Sequence, residues 1–151
     1  MIAGQLNKLV ALVQPQAIIN NGAITCASLD TLGAEYVRIV VMLGATDAAD
    51  TVLKVGESDT DGSFVDVAGL VFGTSNQITG AISVLPAATD DNKFYEFQID
   101  MRGRKRYLKL AITVGVGASV GGYHAAWAEL GRLNTIPTIA ADFGAAQVLR
   151  S

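Results

Sequence analysis

The segment from Lys93 to Val116 constrains this chain most, because it sets two strand-like runs on either side of a knot of cations, Met101-Arg102-Gly103-Arg104-Lys105-Arg106-Tyr107. Before the knot, Phe94, Glu96, Gln98 and Asp100 alternate with Tyr95, Phe97, Ile99 and Met101, the period of two that a half-buried strand requires. After it, Leu108, Leu110, Ile112 and Val114 fall on one face and Lys109, Ala111 and Thr113 on the other. The pattern predicts a β-hairpin with a cationic turn. Arg102, Arg104 and Arg106 are its candidates for polar contact with a partner. Clustered cations bind phosphate by releasing counterions. The chain is nevertheless acidic, with a net charge of -3, and it has no basic face interleaved with aromatic residues, so nucleic acid is not the expected partner. An acidic protein surface fits better. A solvated turn that keeps strand edges apart is the plainer alternative.

Other segments repeat the β signal. The run Glu35–Leu43 is apolar almost throughout and rich in Val and Ile, as in a central strand buried on both faces. Thr51–Glu57, Ser63–Val67, Leu70–Phe72, Gln77–Val84 and Tyr123–Leu130 read as further short strands. They are separated by Asp59-Thr60-Asp61-Gly62, by Gly69 and by the Thr89-Asp90-Asp91-Asn92 loop. Asn20-Asn21-Gly22 predicts a tight hairpin into Ala23–Leu29. The glycine-rich link from Val114 to Gly122 reads as a flexible loop. Near the start, Leu6, Leu9, Val10 and Val13 have helical spacing, while a strand over Ala11–Ile19 fits nearly as well; both readings stand. Many short strands and no convincing long helix define an all-β domain, a sandwich or jelly roll.

Length allows one domain over residues 1–151. Residues 132–151 differ from the rest, because Leu133, Ile136, Ile139 and Phe143 are scattered among Ala, Thr and Pro137. They read as an extended C-terminal arm whose apolar side chains bury on a neighbouring subunit or partner, since exposure costs about 25 cal/mol per Å². Half the residues are apolar and only 17% are charged, an excess that a protein interface would hide. No apolar run approaches the roughly 18 residues of a spanning helix, so no membrane partner is expected. A homo-oligomer is the expectation. The segment Asp30 to Asp100 holds twelve acidic residues against Arg38, Lys54 and Lys93, so opposite charges could meet between copies or within one subunit. One cysteine, Cys26, permits no intrachain disulfide, which suits folding in a reducing cytoplasm, and the first residues lack a basic leader and do not read as a secretory signal.

No catalytic constellation emerges, and neither an enzyme nor a cofactor is expected. Glu57-Ser58-Asp59-Thr60-Asp61-Gly62 begins like a calcium loop, but Ala68 stands where the bidentate glutamate belongs, so a hairpin loop is the better reading. His124, the only histidine, has no partner set by spacing for a metal or a catalytic triad and reads as a packed or edge histidine. Cys26 reads as a small core hydrophobe.

The stretches Val55–Ala68, with its Asp-Gly-Ser turn, and Asp90–Lys109, with Gly-Arg-Lys-Arg-Tyr, resemble small structural proteins of tailed bacteriophages and prophages, over roughly Leu53 to Trp127. The resemblance implies a capsid decoration or cement protein, commonly a trimer, seated on the outside of the virion where major capsid proteins meet. Arg102, Arg104 and Arg106, with the arm residues Leu133, Ile136, Ile139 and Phe143, are the expected contacts. The alternative is a phage tail or receptor-binding β-module that engages a glycan through Tyr123 and Trp127.

Overall fold

A computed structural model describes residues 7–74, 82–133 and 140–147. Nine strands run in order: β1 (Lys8–Val13), β2 (Gly22–Ile24), β3 (Ser28–Asp30), β4 (Tyr36–Thr46), β5 (Asp50–Ser58), β6 (Val65–Val71), β7 (Phe94–Asp100), β8 (Tyr107–Val114) and β9 (Gly122–Gly131). They form two antiparallel sheets, one ordered β1-β9-β4-β7 and the other β2-β8-β5-β6, with β3 also paired to β8. The chain changes sheet at nearly every connection, and only β5 and β6 pair as a hairpin. This is the winding of a jelly-roll β-sandwich.

Alternation along each strand explains the core. Val37, Ile39, Val41 and Leu43 of β4 point between the sheets and are buried. Opposite them lie Leu53 and Val55 of β5 and Leu108, Leu110, Ile112 and Val114 of β8, all part of one continuous core. Phe72, just after β6, stands edge-on to Tyr95 and Phe97 of β7 at 5.6 and 5.2 Å between ring centroids, closing one side of the sandwich. The single thiol, Cys26, belongs to this core, and burial pushes it up to about 11.

Several local expectations change. The runs flanking the cationic knot are strands, but they do not pair with each other: β7 pairs with β4, and β8 with β2, β3 and β5. The link 101–106 is therefore a crossover between sheets. Apolar alternation fixes which face of a strand is buried and leaves its neighbour open, so two inward-facing strands satisfied the pattern equally well in opposite sheets. Asn21 takes the left-handed conformation expected of its turn, at φ 54°, yet that turn also leads across the sandwich. Lys8–Val13 is a strand, not a helix, because β1 pairs with β9. Ser63–Val67 and Leu70–Phe72 merge largely into β6, with Gly69 at φ 90° absorbing the irregularity between them. Gln77–Val84 falls mostly outside the described residues; at its end Ile82 and Val84 are exposed.

Candidate functional site

The cationic crossover sits at one end of the sandwich, and its turn needs Gly103 at φ 78°. Each cation there meets an acid of its own chain. The guanidinium Nε of Arg102 donates to both carboxylate oxygens of Asp100 at 3.0 and 2.9 Å. Arg106 grips Asp30 in a two-pronged contact at 2.8 and 2.6 Å and lies 4.9 Å from the centre of the Tyr107 ring. Arg104 lies 3.6 Å from Glu57, and Lys105 lies 3.1 Å from Asp59. Arg102 holds the Asp100 carboxyl down at about 2, and the hydrogen bond from Arg106 holds that of Asp30 below the usual range. The knot that looks strongly basic in sequence is thus locally balanced. Its charges come from β3, β5, β7 and the β5–β6 loop, which topology alone brings together.

The outward face of the four-stranded sheet is divided. Towards the charged end, Arg38 of β4 donates to Glu96 of β7 at 2.7 Å and lies 3.7 Å from Glu129 of β9. Arg38 holds the Glu96 carboxyl below its ordinary value. Towards the other end the face is apolar. In register, Met42 is flanked by Phe94 and Ala125, and Val40 by Trp127, which in turn faces Ala11. Phe94 and Trp127 meet edge to face at 6.5 Å, and Phe94 is 61% exposed. Tyr123 and Met42 are exposed on the same face. Met42, Phe94 and Tyr123 thus form an exposed apolar field over the buried Val40 and the half-buried Trp127, as the mean hydropathy of +0.37 anticipates.

At that end the connections are held by buried and backbone-directed carboxylates. Asp47 accepts hydrogen bonds from the N–H groups of Ser119, Val120 and Gly121 at 2.7, 2.8 and 2.6 Å, which hold its own carboxyl below the ordinary value. The link after β8, expected to be flexible, is instead wrapped around that side chain. A Cβ on Gly117 would lie 2.1 Å from an Asp47 oxygen, so glycine is required there for close approach. Nearby, Tyr95 and Lys93 both donate to Asp90 at 2.5 Å, holding its carboxyl well down. His124 faces inward from β9 and is tied to Asp50 at the start of β5. The sequence left His124 as either a packed or an edge histidine; it is packed, and its partner Asp50 lies 74 positions away. Among the described residues no group of three or more His, Cys, Asp or Glu side chains is placed to hold a metal ion.

The arm residues divide too. Leu133 packs partly buried against the core, and Phe143 is buried at the end of a 3-10 turn, Ala140–Phe143, beside β1. These two therefore bury surface on their own domain, which an extended arm reaching for a neighbour would leave free. Ile136 and Ile139 lie outside the described residues. The chain matches no protein-family model and no curated protein.

Proposed function

We propose that this chain is a non-enzymatic structural protein that decorates the outer surface of a tailed-phage head, docking on the major capsid protein and stabilising contacts between capsid subunits. The apolar field of Tyr123, Met42 and Phe94, with the half-buried Trp127 beside them, carries this reading, because an uncovered apolar patch on a sheet face supplies area for binding another protein. The similarity of the Val55–Ala68 and Asp90–Lys109 stretches to phage structural proteins points to the capsid as that partner. Arg102, Arg104 and Arg106 become secondary contacts in this reading, since acids of the same chain already balance them. The protein is made in the host cytoplasm and ends on the virion surface.

Cosedimentation of the purified protein with phage heads stripped of it tests the proposal. Saturable binding at a fixed ratio to the major capsid protein is expected, weakened about tenfold by Met42→Glu, which buries a charge at the contact. Absence of binding to intact heads overturns the reading. The three aromatic rings on this face favour a tail module that stacks against a glycan as the second reading, which sugar binding without head binding would select.

A further inference from the structure

A sheet edge presents unpaired backbone donors and acceptors, and folded proteins usually blunt it by bulging, shortening or covering it. Three of the four edges in this sandwich are treated in that way. β1 has a register shift between Ala11 and Val13, its Leu12 carbonyl accepts the Ala27 N–H at 2.9 Å, and Gly144 packs so tightly on it that a Cβ would lie 1.7 Å from the Leu9 carbonyl oxygen. β6 is irregular against β5 between Lys54 and Gly56 and carries Gly69 at φ 90°. The third edge is broken into β2 and β3, three residues each.

Among the described residues nothing bulges, shortens or covers β7. It pairs with β4 over seven consecutive residues without a shift, and contains no proline, glycine or lysine. The Leu43 N–H donates to the Lys93 carbonyl and the Met101 N–H to the Glu35 carbonyl, each at 3.0 Å, so odd-numbered residues direct their backbone groups to β4. Phe94, Glu96, Gln98 and Asp100 therefore direct theirs away from it. Among the described residues no backbone group outside β7 bonds to these outward groups.

We infer that β7 is a homodimer interface, pairing antiparallel with β7 of a second copy about a two-fold axis at Phe97 and joining the two four-stranded sheets into one of eight. The outward backbone groups of an antiparallel edge strand are complementary to those of a second copy, which selects the occupant, and charge disfavours two of the alternative registers. An axis at Glu96 would place Glu96 against itself, and one at Gln98 would place Glu96 against Asp100; like charges directly opposite are destabilising. An axis at Phe97 instead sets Glu96 opposite Gln98 of the second copy and Phe94 opposite Asp100, with outward backbone groups facing outward backbone groups. Four facing pairs then exchange about eight hydrogen bonds. The symmetry is two-fold, in place of the three-fold implied by the phage resemblance, and the pairing needs no capsid.

Sedimentation velocity of the full chain across a concentration series, with hydrogen exchange on the same samples, decides this. The wild type is expected to dimerise reversibly, with the amides of Phe94, Glu96, Gln98 and Asp100 gaining protection as concentration rises. Gln98→Glu places two carboxylate pairs across the axis and should weaken the dimer about tenfold. Gln98→Pro removes an outward N–H that the fold does not use, and should abolish the dimer while keeping the β-sheet circular dichroism. A wild type that stays monomeric at about 100 µM, or forms a trimer, overturns the inference. So does a dimer indifferent to Gln98→Glu, or one that leaves those four amides exchanging at the monomer rate.

Discussion

The imidazole Nε2 of His124 lies 3.0 Å from Oδ2 of Asp50, with both side chains essentially excluded from solvent, and so joins β9 of one sheet to β5 of the other through the interior. The remaining polar atoms, Nδ1 of His124 and Oδ1 of Asp50, meet no hydrogen-bonding group among the described residues. Each half of the pair is therefore tolerated in the core only because of the other.

Removing one member leaves the other buried and alone. His124→Ala or Asp50→Ala should each destabilise the fold by about 3 kcal/mol, while the double variant should cost much less than the sum. Urea unfolding of the four proteins in a double-mutant cycle measures this, and additive losses would show that the contact contributes nothing of its own.

Acid should act at both ends of the sandwich, because the carboxyls of Asp47 and Asp90 near His124 are held down as well as those at the charged end. The carboxyls of Asp100, held at about 2 by Arg102, of Asp30, held down by Arg106, and of Glu96, held down by Arg38, all have folded values below their unfolded ones. Their contribution is present above the unfolded carboxylate range, near pH 4, and is lost as pH falls through the folded values. The urea midpoint should therefore decline from about pH 4 towards pH 2, and more gently in Arg102→Gln. These groups are exposed, so the decline is shallow. A midpoint that is flat over this range, or equally steep in Arg102→Gln, would contradict the assignment.

Asp47 organises the link that follows β8 through three backbone N–H groups, and among the described residues no other side chain accepts from those three. In Asp47→Ala the amides of Ser119, Val120 and Gly121 should exchange faster by on the order of tenfold, with the amides of β4 and β5 unchanged. Equal exchange in both proteins would mean that the glycine conformations and the other bonds of the link, such as that from the Gly117 N–H to Asn20 Oδ1 at 2.8 Å, hold it without Asp47. Gly121 supports the same arrangement at φ 103°, where a Cβ would lie 2.1 Å from the Ile19 carbonyl oxygen.

The sandwich class was readable because alternation is a local property. Phe97 and Ile99, or Leu108 and Leu110, declare a buried face within a few residues of chain, and the structure buries those faces. Partnership between strands is not local. Nothing near Arg106 announces Asp30, 76 positions earlier, and nothing near His124 announces Asp50. The exposed field around Met42 and Phe94 was half legible: the Val- and Ile-rich run of β4 signalled burial on both faces, and Val40 is indeed buried on the outward one, but Met42 two residues on is exposed. The link after β8 misled for a different reason. Its glycines allow flexibility, but here they make room for a carboxylate from another loop.

The position of β9 between β1 and β4 has a consequence for synthesis. Asn7 reaches Glu129 at 2.8 Å across 122 positions of sequence, and until β9 has left the ribosome β1 and β4 have no strand to bridge them. The four-stranded sheet cannot close while the chain is still being translated through its first hundred residues. The nascent polypeptide must therefore carry β1 and β4 unpaired along the edges that β9 will fill, a stage at which a holdase chaperone has the most to protect.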